Sequence, residues 1–288
     1  MPAPRVVGYV QLRETWQEHG GLTATLNRAR IGVEGTLPSR FSYKVLVELS
    51  APPSGSGVST PSLRDAYLRW THAPFSVWFG QFKTPFSREY ITSITAIETA
   101  DRATVVDTLA TKRDIGVMAD WAIGTSATLA FGVFNGEGQN ANRNRDSTVL
   151  PIARATWRPI PQITVGASAA RFGPDSSRAG FEANFEQAGF LARSEYIFQH
   201  RRGISENDEG WFVLVAYRVV PWLQLVGKEE DFRRDSIGPS RRMKGSTLGA
   251  NVDFPGGRTR LLVNWIARES GAPLERRDVV VGQIQVRW

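Results

Sequence analysis

The chain has 288 residues, no cysteine and a formal net charge of +7, and 41% of its residues are hydrophobic against 22% charged. This composition is too rich in apolar and aromatic residues for a disordered chain, and the lack of cysteine excludes disulfide scaffolds, zinc fingers and thiol catalysis. The longest stretch without a charge, residues 121–136, is shorter than the roughly 20 apolar residues that a membrane-spanning helix needs.

Segments of about ten residues that alternate apolar and polar side chains recur from one end of the chain to the other. Turn residues bound them, chiefly Pro, Gly, Asn, Asp and Ser. The predicted strands are 5–16, 25–37, 41–50, 63–71, 75–82, 113–123, 127–135, 149–158, 162–172, 179–188, 190–200, 210–220, 223–233, 245–254, 258–269 and 278–288. An even number of strands of similar length predicts an all-β fold, a 16-stranded antiparallel transmembrane β-barrel that forms a single outer-membrane domain over residues 1–288.

The connections between these strands alternate in length. Tight turns are predicted at 38–40, 73–74, 124–126, 159–161, 189, 221–222 and 255–257. Longer polar loops are predicted at 17–24, 51–62, 136–148, 201–209 and 234–244. This two-sided pattern is typical of short periplasmic turns and long extracellular loops, and it puts both termini at the short-turn end.

The longest connection, residues 83–112, has enough apolar residues to argue against disorder, so we expect it to fold back into the barrel and narrow it. Thr95 and Glu98 have the spacing of a capping box, which predicts a helix over residues 96–109. Charged side chains on this predicted constriction loop either shape the narrowest point or tether the loop to the wall. They are Arg88, Glu89, Glu98, Asp101, Arg102 and Asp107.

Charged residues concentrate on one face of several predicted strands. Because an arginine that faces lipid at the bilayer midplane costs about 2–4 kcal/mol, this face must line the lumen. The predicted anion path consists of Arg28, Arg30, Lys44, Arg69, Arg154, Arg158, Arg193, Lys228, Arg258, Arg260 and Arg268. Each arginine has an alternative structural role as a partner in a cross-strand ion pair. The fifth, ninth and twelfth strands are ambiguous, because their alternation does not identify an inward face.

Four motifs resemble the phosphate-selective porin O and P family. They are Leu63-Arg64-Asp65-Ala66-Tyr67-Leu68, Gly80-Gln81-Phe82-Lys83-Thr84-Pro85-Phe86, Arg113-Asp114-Ile115-Gly116-Val117 and Gly132-Val133-Phe134-Asn135-Gly136-Glu137-Gly138. The resemblance implies a 16-stranded outer-membrane barrel, a homotrimer, a third long loop that narrows the pore, and phosphate or other small anions as solutes. The chain departs from the family in having few lysines. This departure weakens the expectation of phosphate specificity more than the expectation of a general preference for anions.

From these patterns we expect an outer-membrane porin of a Gram-negative bacterium that passes small hydrophilic solutes with an anion bias. We expect no cofactor, no metal and no nucleic-acid partner, and contacts with outer-membrane lipid. The three histidines match no nucleophile or metal motif, which argues against an enzyme. Two alternatives remain: a weakly conducting barrel that acts as a structural or docking partner in the envelope, and a soluble four-bladed propeller.

Overall fold

The computed structural model describes residues 2–50, 60–235, 241–271 and 273–288. The strands are β1 (Arg5–Gln17), β2 (Gly21–Leu37), β3 (Phe41–Glu48), β4 (Ser62–His72), β5 (Phe75–Lys83), β6 (Arg113–Ile123), β7 (Ala127–Phe134), β8 (Leu150–Ile160), β9 (Ile163–Phe172), β10 (Ser176–Gln187), β11 (Phe190–Arg201), β12 (Asp208–Val220), β13 (Leu223–Arg234), β14 (Arg241–Asp253), β15 (Thr259–Gly271) and β16 (Glu275–Arg287). Two short helices, α1 (Arg88–Ile91) and α2 (Thr104–Leu109), lie between β5 and β6.

Each strand pairs antiparallel with its neighbours in the sequence, and β1 pairs with β16 to close the barrel. The closing register runs from Tyr9 opposite Arg287 to Gln17 opposite Val279. Closure leaves no strand edge without a hydrogen-bonded neighbour, which is the condition for a sheet to cross a bilayer. The predicted 16-stranded antiparallel barrel is therefore confirmed, and the closed ring excludes the propeller.

Strand lengths differ from the prediction mainly at the long-loop end. The predicted loop 17–24 is wrong, because the β1–β2 pairing continues to Gln17 opposite Gly21 and leaves only a three-residue turn at 18–20. The predicted loop at 51–62 lies mostly outside the described residues, as does part of the loop at 234–244. None of the described helices is long and apolar enough to cross a membrane.

The predicted helix over residues 96–109 is also wrong. Only Thr104–Leu109 is helical, and residues 95–101 form turns and bends. The capping box does not form: the Thr95 amide donates to the Ser93 hydroxyl, while the Glu98 carboxylate pairs with Arg193. The Glu98 carboxylate, which was expected to cap the helix, instead forms an ion pair with a residue of the barrel wall.

The strands sort their side chains as the alternation predicts. Large apolar residues cover the outward face, where Val6, Leu68, Phe131 and Trp157 are all more than 40% exposed. The inward face carries polar residues that are buried or half-buried, such as Gln11, Glu48 and Glu182. A barrel with an apolar outer surface and a polar interior is organised to meet lipid outside and water inside.

Candidate channel lumen

The connection between β5 and β6 lies against the inner wall of the barrel, and hydrogen bonds fix it there. Three inward amide side chains on β14, β15 and β16 bind its backbone: Asn251 donates to the Glu98 carbonyl at 2.8 Å, Asn264 accepts from the Ala100 amide at 2.8 Å, and Gln285 donates to the Thr95 carbonyl at 2.9 Å. We call residues 84–112 the lumen loop. Because these contacts come from several strands, the loop is held across part of the cross-section rather than at its ends alone.

On the opposite side, acidic residues of the wall bind the start of α1. The Arg88 amide donates to Glu182 at 3.1 Å, and the Glu89 amide donates to Glu195 at 2.6 Å. Carboxylates at the amino end of a helix satisfy backbone donors that have no partner within the helix. The helix is too short to form without such contacts, so its position depends on the wall.

Apolar side chains of the lumen loop form a core with one part of the wall. Phe86, Val106 and Leu109 are almost fully buried against inward residues of β7–β13, including Phe212 and Leu214. We call the inner faces of β7–β16 and of β1 the loop arc, because the lumen loop covers most of them. Where the loop packs against it, this part of the interior resembles the core of a soluble protein and offers little space to a solute.

The remaining inner surface, on β2–β6, carries polar side chains beside a group of aromatic ones and borders open space; we call it the open arc. A cavity of ≈ 260 Å³, the loop-side cavity, is lined by Arg64, Lys112, Asp114 and Arg178, among others. A larger cavity of ≈ 750 Å³, the turn-side cavity, is lined by Lys44, Tyr67, Trp78 and both chain ends. Arg113 lines both cavities, and we call the place where the two cavities adjoin at this side chain the narrow point.

Four arginines surround this narrow point, and we call them the arginine cluster: Arg30, Arg64, Arg102 and Arg113. Arg113 donates to Asp65 at 2.8 Å and Arg30 donates to Glu48 at 2.6 Å. Arg64 lies 3.8 Å from Glu48, and its buried Nε has no hydrogen-bond partner among the described residues. The Arg102 guanidinium stacks 4.9 Å from the Tyr90 ring. Arg30, Arg64 and Arg113 therefore face two carboxylates, Glu48 and Asp65, which leaves an excess of positive charge, while Arg102 lies within electrostatic range of Glu89 and Asp107.

Lys83 connects the arginine cluster to the lumen loop. Its ammonium group donates to the Ile91 and Thr92 carbonyls at 3.0 and 2.9 Å, and it lies within electrostatic range of Arg30, Arg102 and Arg113. The same side chain thus holds the loop in place and keeps it beside the narrow point.

The predicted anion-path residues fall into three groups. Arg28, Arg30, Lys44 and Arg69 lie on the open arc. Arg154, Arg193, Lys228 and Arg260 lie on the loop arc and pair with Glu182, Glu98, Glu230 and Asp253. Arg158, Arg258 and Arg268 are exposed near the barrel ends, and Arg258 precedes β15 rather than belonging to it.

The charged residues of the lumen loop act mainly as tethers. Arg13 makes two hydrogen bonds to Asp101, at 2.8 and 2.9 Å; burial would raise the pKa of Asp101, but the guanidinium outweighs it and lowers the pKa. Burial raises the pKa of Glu98, and the guanidinium of Arg193 offsets this only in part. Burial also raises the pKa of Asp107. Arg102 donates to the Glu89 carbonyl at 3.1 Å, which ties the two parts of the loop together.

Glu89 is the most deeply buried of these acids. Burial raises its pKa to about 7, although Lys228 opposes the shift, and its carboxylate accepts from the Ala103 amide at 3.0 Å. A carboxyl group with this pKa changes its charge near neutral pH.

Sequence reasoning missed Arg64, Lys83, Arg113 and Arg178. Arg64 is the extra residue of a β-bulge, because the β3–β4 register jumps between Leu46 opposite Asp65 and Val47 opposite Leu63. Lys83 and Arg113 lie at strand ends, where alternation gives no orientation. Arg178 donates to the Leu109 carbonyl at 2.8 Å and so depends on a loop position that the sequence does not give. The signal that could have found three of them is their place in the motifs 63–68, 80–86 and 113–117.

A closed barrel with charged and polar side chains inside and an inward loop is the architecture of a channel of the porin class. No group of three or more potential metal-ligating side chains occurs in the part of the chain that the structure describes.

Comparison with known proteins agrees with this class. The sequence profile of the phosphate-selective porin O and P family matches residues 11–221, so the chain belongs to that family and is a porin of the Gram-negative outer membrane. No curated protein sequence matches the chain.

Solved structures with similar folds include the outer membrane channel DcaP of Acinetobacter baumannii, with a TM-score of 0.74 at 13% identity over 99% of this chain and 97% of that one. The anion-selective porin from Comamonas acidovorans has a TM-score of 0.70 at 12% identity over 99% of both chains. The trimer form of OmpT from Vibrio cholerae gives 0.70 at 12% identity over 99% of both chains. At these identities the likeness concerns the fold alone.

Proposed function

We propose that this porin passes small hydrophilic solutes by passive diffusion with a bias towards anions, phosphate among them. The observation that carries the proposal is the arginine cluster, where Arg30, Arg64 and Arg113 face only Glu48 and Asp65 at the residue shared by the two cavities. Guanidinium groups stay protonated and offer planar pairs of donors that suit the oxygens of phosphate and carboxylate.

A path for anions also needs donors that are free to exchange partners. The Arg64 guanidinium lines the loop-side cavity and is only weakly compensated, since it lies 3.8 Å from Glu48 and its buried Nε lacks a partner among the described residues. Lys44, half-buried on the wall of the turn-side cavity, uses one contact of 2.9 Å to Glu34 and has further hydrogens to offer. Binding at such points is strong enough to attract an anion and weak enough to release it. In this proposal Arg28 and Arg69 contribute to the same field, while Arg154, Arg193, Lys228 and Arg260 mainly brace the wall.

The lumen loop, within the predicted constriction segment 83–112, sets the size of the path in this proposal, and residues 1–288 act as one barrel domain. The apolar outward face would contact outer-membrane lipid. We further propose a homotrimer, which the family and the trimer form of a similarly folded porin support.

The reversal potential of purified protein in planar bilayers across a KCl gradient tests the anion bias. We expect its sign to show that chloride is more permeant than potassium, and the opposite sign would overturn the proposal. Arg64→Gln should reduce the preference, because it removes one charge from the arginine cluster without separating the Arg113–Asp65 pair. The matched control is Arg171→Gln, which removes the same charge from an exposed position near the end of β9.

One observation favours the second candidate, a weakly conducting structural or docking barrel. The lumen loop packs against the inner faces of many strands and fills much of the interior. Single-channel recordings separate the two functions, because a porin gives discrete current steps whereas a structural barrel inserts without them.

A further inference from the structure

The wall of the turn-side cavity contains more aromatic surface than the passage of an inorganic ion requires. Tyr67, Trp78 and Phe82 form one group, with ring centroids 4.9 Å apart for Tyr67 and Trp78 and 5.6 Å apart for Trp78 and Phe82. Phe82 is buried in the core, but Tyr67 and Trp78 are only half-buried and line the cavity. Leu46 and Met118 extend the apolar surface around them.

A cation stands directly beside this aromatic surface. Lys44 on β3 lies opposite Tyr67 on β4, so their side chains leave the wall as neighbours in a cross-strand pair. On its other side Tyr67 lies opposite Gly80, which has no side chain to occupy the adjacent position. Gly80 has a φ of +117°, and an added Cβ would lie 2.2 Å from the Ala66 carbonyl oxygen, so only glycine fits there. Because Gly80 adds no side chain between them, the Trp78 and Phe82 rings lie beside the Tyr67 ring, with centroids 4.9 and 6.1 Å from it, and the strand pairing builds one continuous aromatic surface.

Most other cations of this cavity already have carboxylate partners. Arg113 pairs with Asp65, Arg154 with Glu182, and Arg5 shares Glu34 with Lys44. A multiply charged ion such as phosphate would have to displace several of these pairs, whereas a single carboxylate needs only one or two donors. An aromatic ring on that carboxylate could rest on the apolar wall.

We infer that the turn-side cavity is a binding site for small aromatic monocarboxylates, with the carboxylate at Lys44 and the ring against Tyr67 and Trp78. A solute of this class contacts both Lys44 and the aromatic side chains, whereas acetate contacts only Lys44. This inference rests on the proposed anion bias and specifies the solute class that the same lumen prefers.

Block of the chloride current by added solutes tests the inference, with the full-length protein in planar bilayers at neutral pH. We expect benzoate to halve the chloride current at a concentration about tenfold lower than acetate or phosphate, since ring contacts add to the same carboxylate contact. The inference is overturned if benzoate blocks no better than acetate, or if phosphate blocks best.

A pair of variants locates the effect. Trp78→Leu should abolish the preference for benzoate over acetate, and the control Trp157→Leu, which changes an exposed outward-facing tryptophan, should keep it. An unchanged preference in Trp78→Leu would contradict the inference. If that variant does not fold, Tyr67→Leu replaces it, and the wild-type comparison of benzoate with acetate still decides.

The reversal potential measured in the same bilayers separates this inference from the proposed function. A cation preference would overturn the proposed function itself. An anion preference without any benzoate preference would overturn only the inference about aromatic solutes.

Discussion

The loop arc and the open arc use charged residues in different ways, although both belong to one barrel. On the loop arc, Arg193 pairs with Glu98 of the lumen loop, and Glu230 accepts from the Thr104 hydroxyl at 2.7 Å. On the open arc, Lys44, Arg64 and Arg113 line cavities, as Arg154 of the loop arc does where the lumen loop leaves it uncovered. Inward charge alone therefore does not identify a solute path; what decides is whether a segment of the chain or water faces the charge.

The two arcs also differ in what holds them together. Apolar packing dominates the loop arc, where Phe86, Val106 and Phe212 are almost fully buried. Ion pairs dominate the open arc, and their energies depend on water and salt. We expect substitutions on the loop arc to change the size of the path, and substitutions on the open arc to change its selectivity.

The largest effect should come from breaking the packing of the loop arc. Phe86→Ala removes a ring with 0% exposure, and such deletions cost about 3–5 kcal/mol. Because this cost falls on docking of the lumen loop rather than on strand pairing, we expect a severalfold larger single-channel conductance in an intact barrel. Phe131→Ala, which removes an outward-facing ring, is the control. An unchanged conductance in Phe86→Ala would show that the loop does not limit the path.

A smaller effect should follow from changing charge on the open arc. Asp65→Asn leaves the arginine cluster with one carboxylate instead of two, so the ratio of chloride to potassium permeability should rise by about twofold. Reversal potentials measure this ratio, and heat-modifiable gel mobility checks that the barrel still folds. Asp146→Asn, in an exposed loop, makes the same charge change away from the lumen and should leave the ratio as it is. A fall in the ratio for Asp65→Asn would contradict the role of the cluster.

The docking of the lumen loop on the loop arc should depend on pH. Burial raises the pKa of Glu89 to about 7, so the docked loop holds its proton more tightly than an undocked one. The stabilisation of docking is complete below the ordinary pKa of about 4.5 and is lost as pH rises through 7. Current fluctuations from loop motion should therefore increase between pH 5 and pH 8.

Glu89→Gln is the matched variant for this dependence, because the amide keeps the shape of the side chain and cannot ionise. Its fluctuations should be nearly the same at both pH values. If the variant kept the full wild-type dependence, another group would have to be responsible; the facing carboxyl groups are Glu195 and Asp107, beside the cations Lys228 and Arg102.

The barrel is predictable from the sequence because each strand meets lipid on one face and the polar interior on the other, so charged side chains must face inward. An arginine on the lipid face is costly, so the faces of strands such as β2 can be assigned from Arg28 and Arg30 alone. The ambiguity of the twelfth strand has a physical cause: in β12 the inward Phe212 and Leu214 pack against the lumen loop while the outward Trp211 and Val213 are exposed. Both faces are apolar there, so alternation disappears.

The candidate site is less predictable, because it depends on contacts between segments far apart in the sequence. The sequence predicts that Glu98 caps a helix, whereas in the structure it pairs with Arg193. Arg64 belongs to the arginine cluster because it is the extra residue of a bulge in β4. Neither contact leaves a local pattern. Strand periodicity therefore does not predict the positions of the charged residues nearest the narrow point.

The smallest effect should come from a comparison of Arg258 and Arg260, which lie two positions apart in the sequence but in different surroundings. Arg260 makes a hydrogen bond of 2.6 Å to Asp253 and lines a cavity of ≈ 170 Å³, whereas Arg258 is exposed in the turn before β15. Arg258→Gln should leave the permeability ratio unchanged and alter stability by less than about 0.5 kcal/mol, as is usual for exposed positions. Arg260→Gln should lower thermal stability measurably, because it leaves Asp253 with Arg218 as its remaining partner. Equal effects of the two substitutions would mean that the wall of the loop arc gains nothing from its ion pairs.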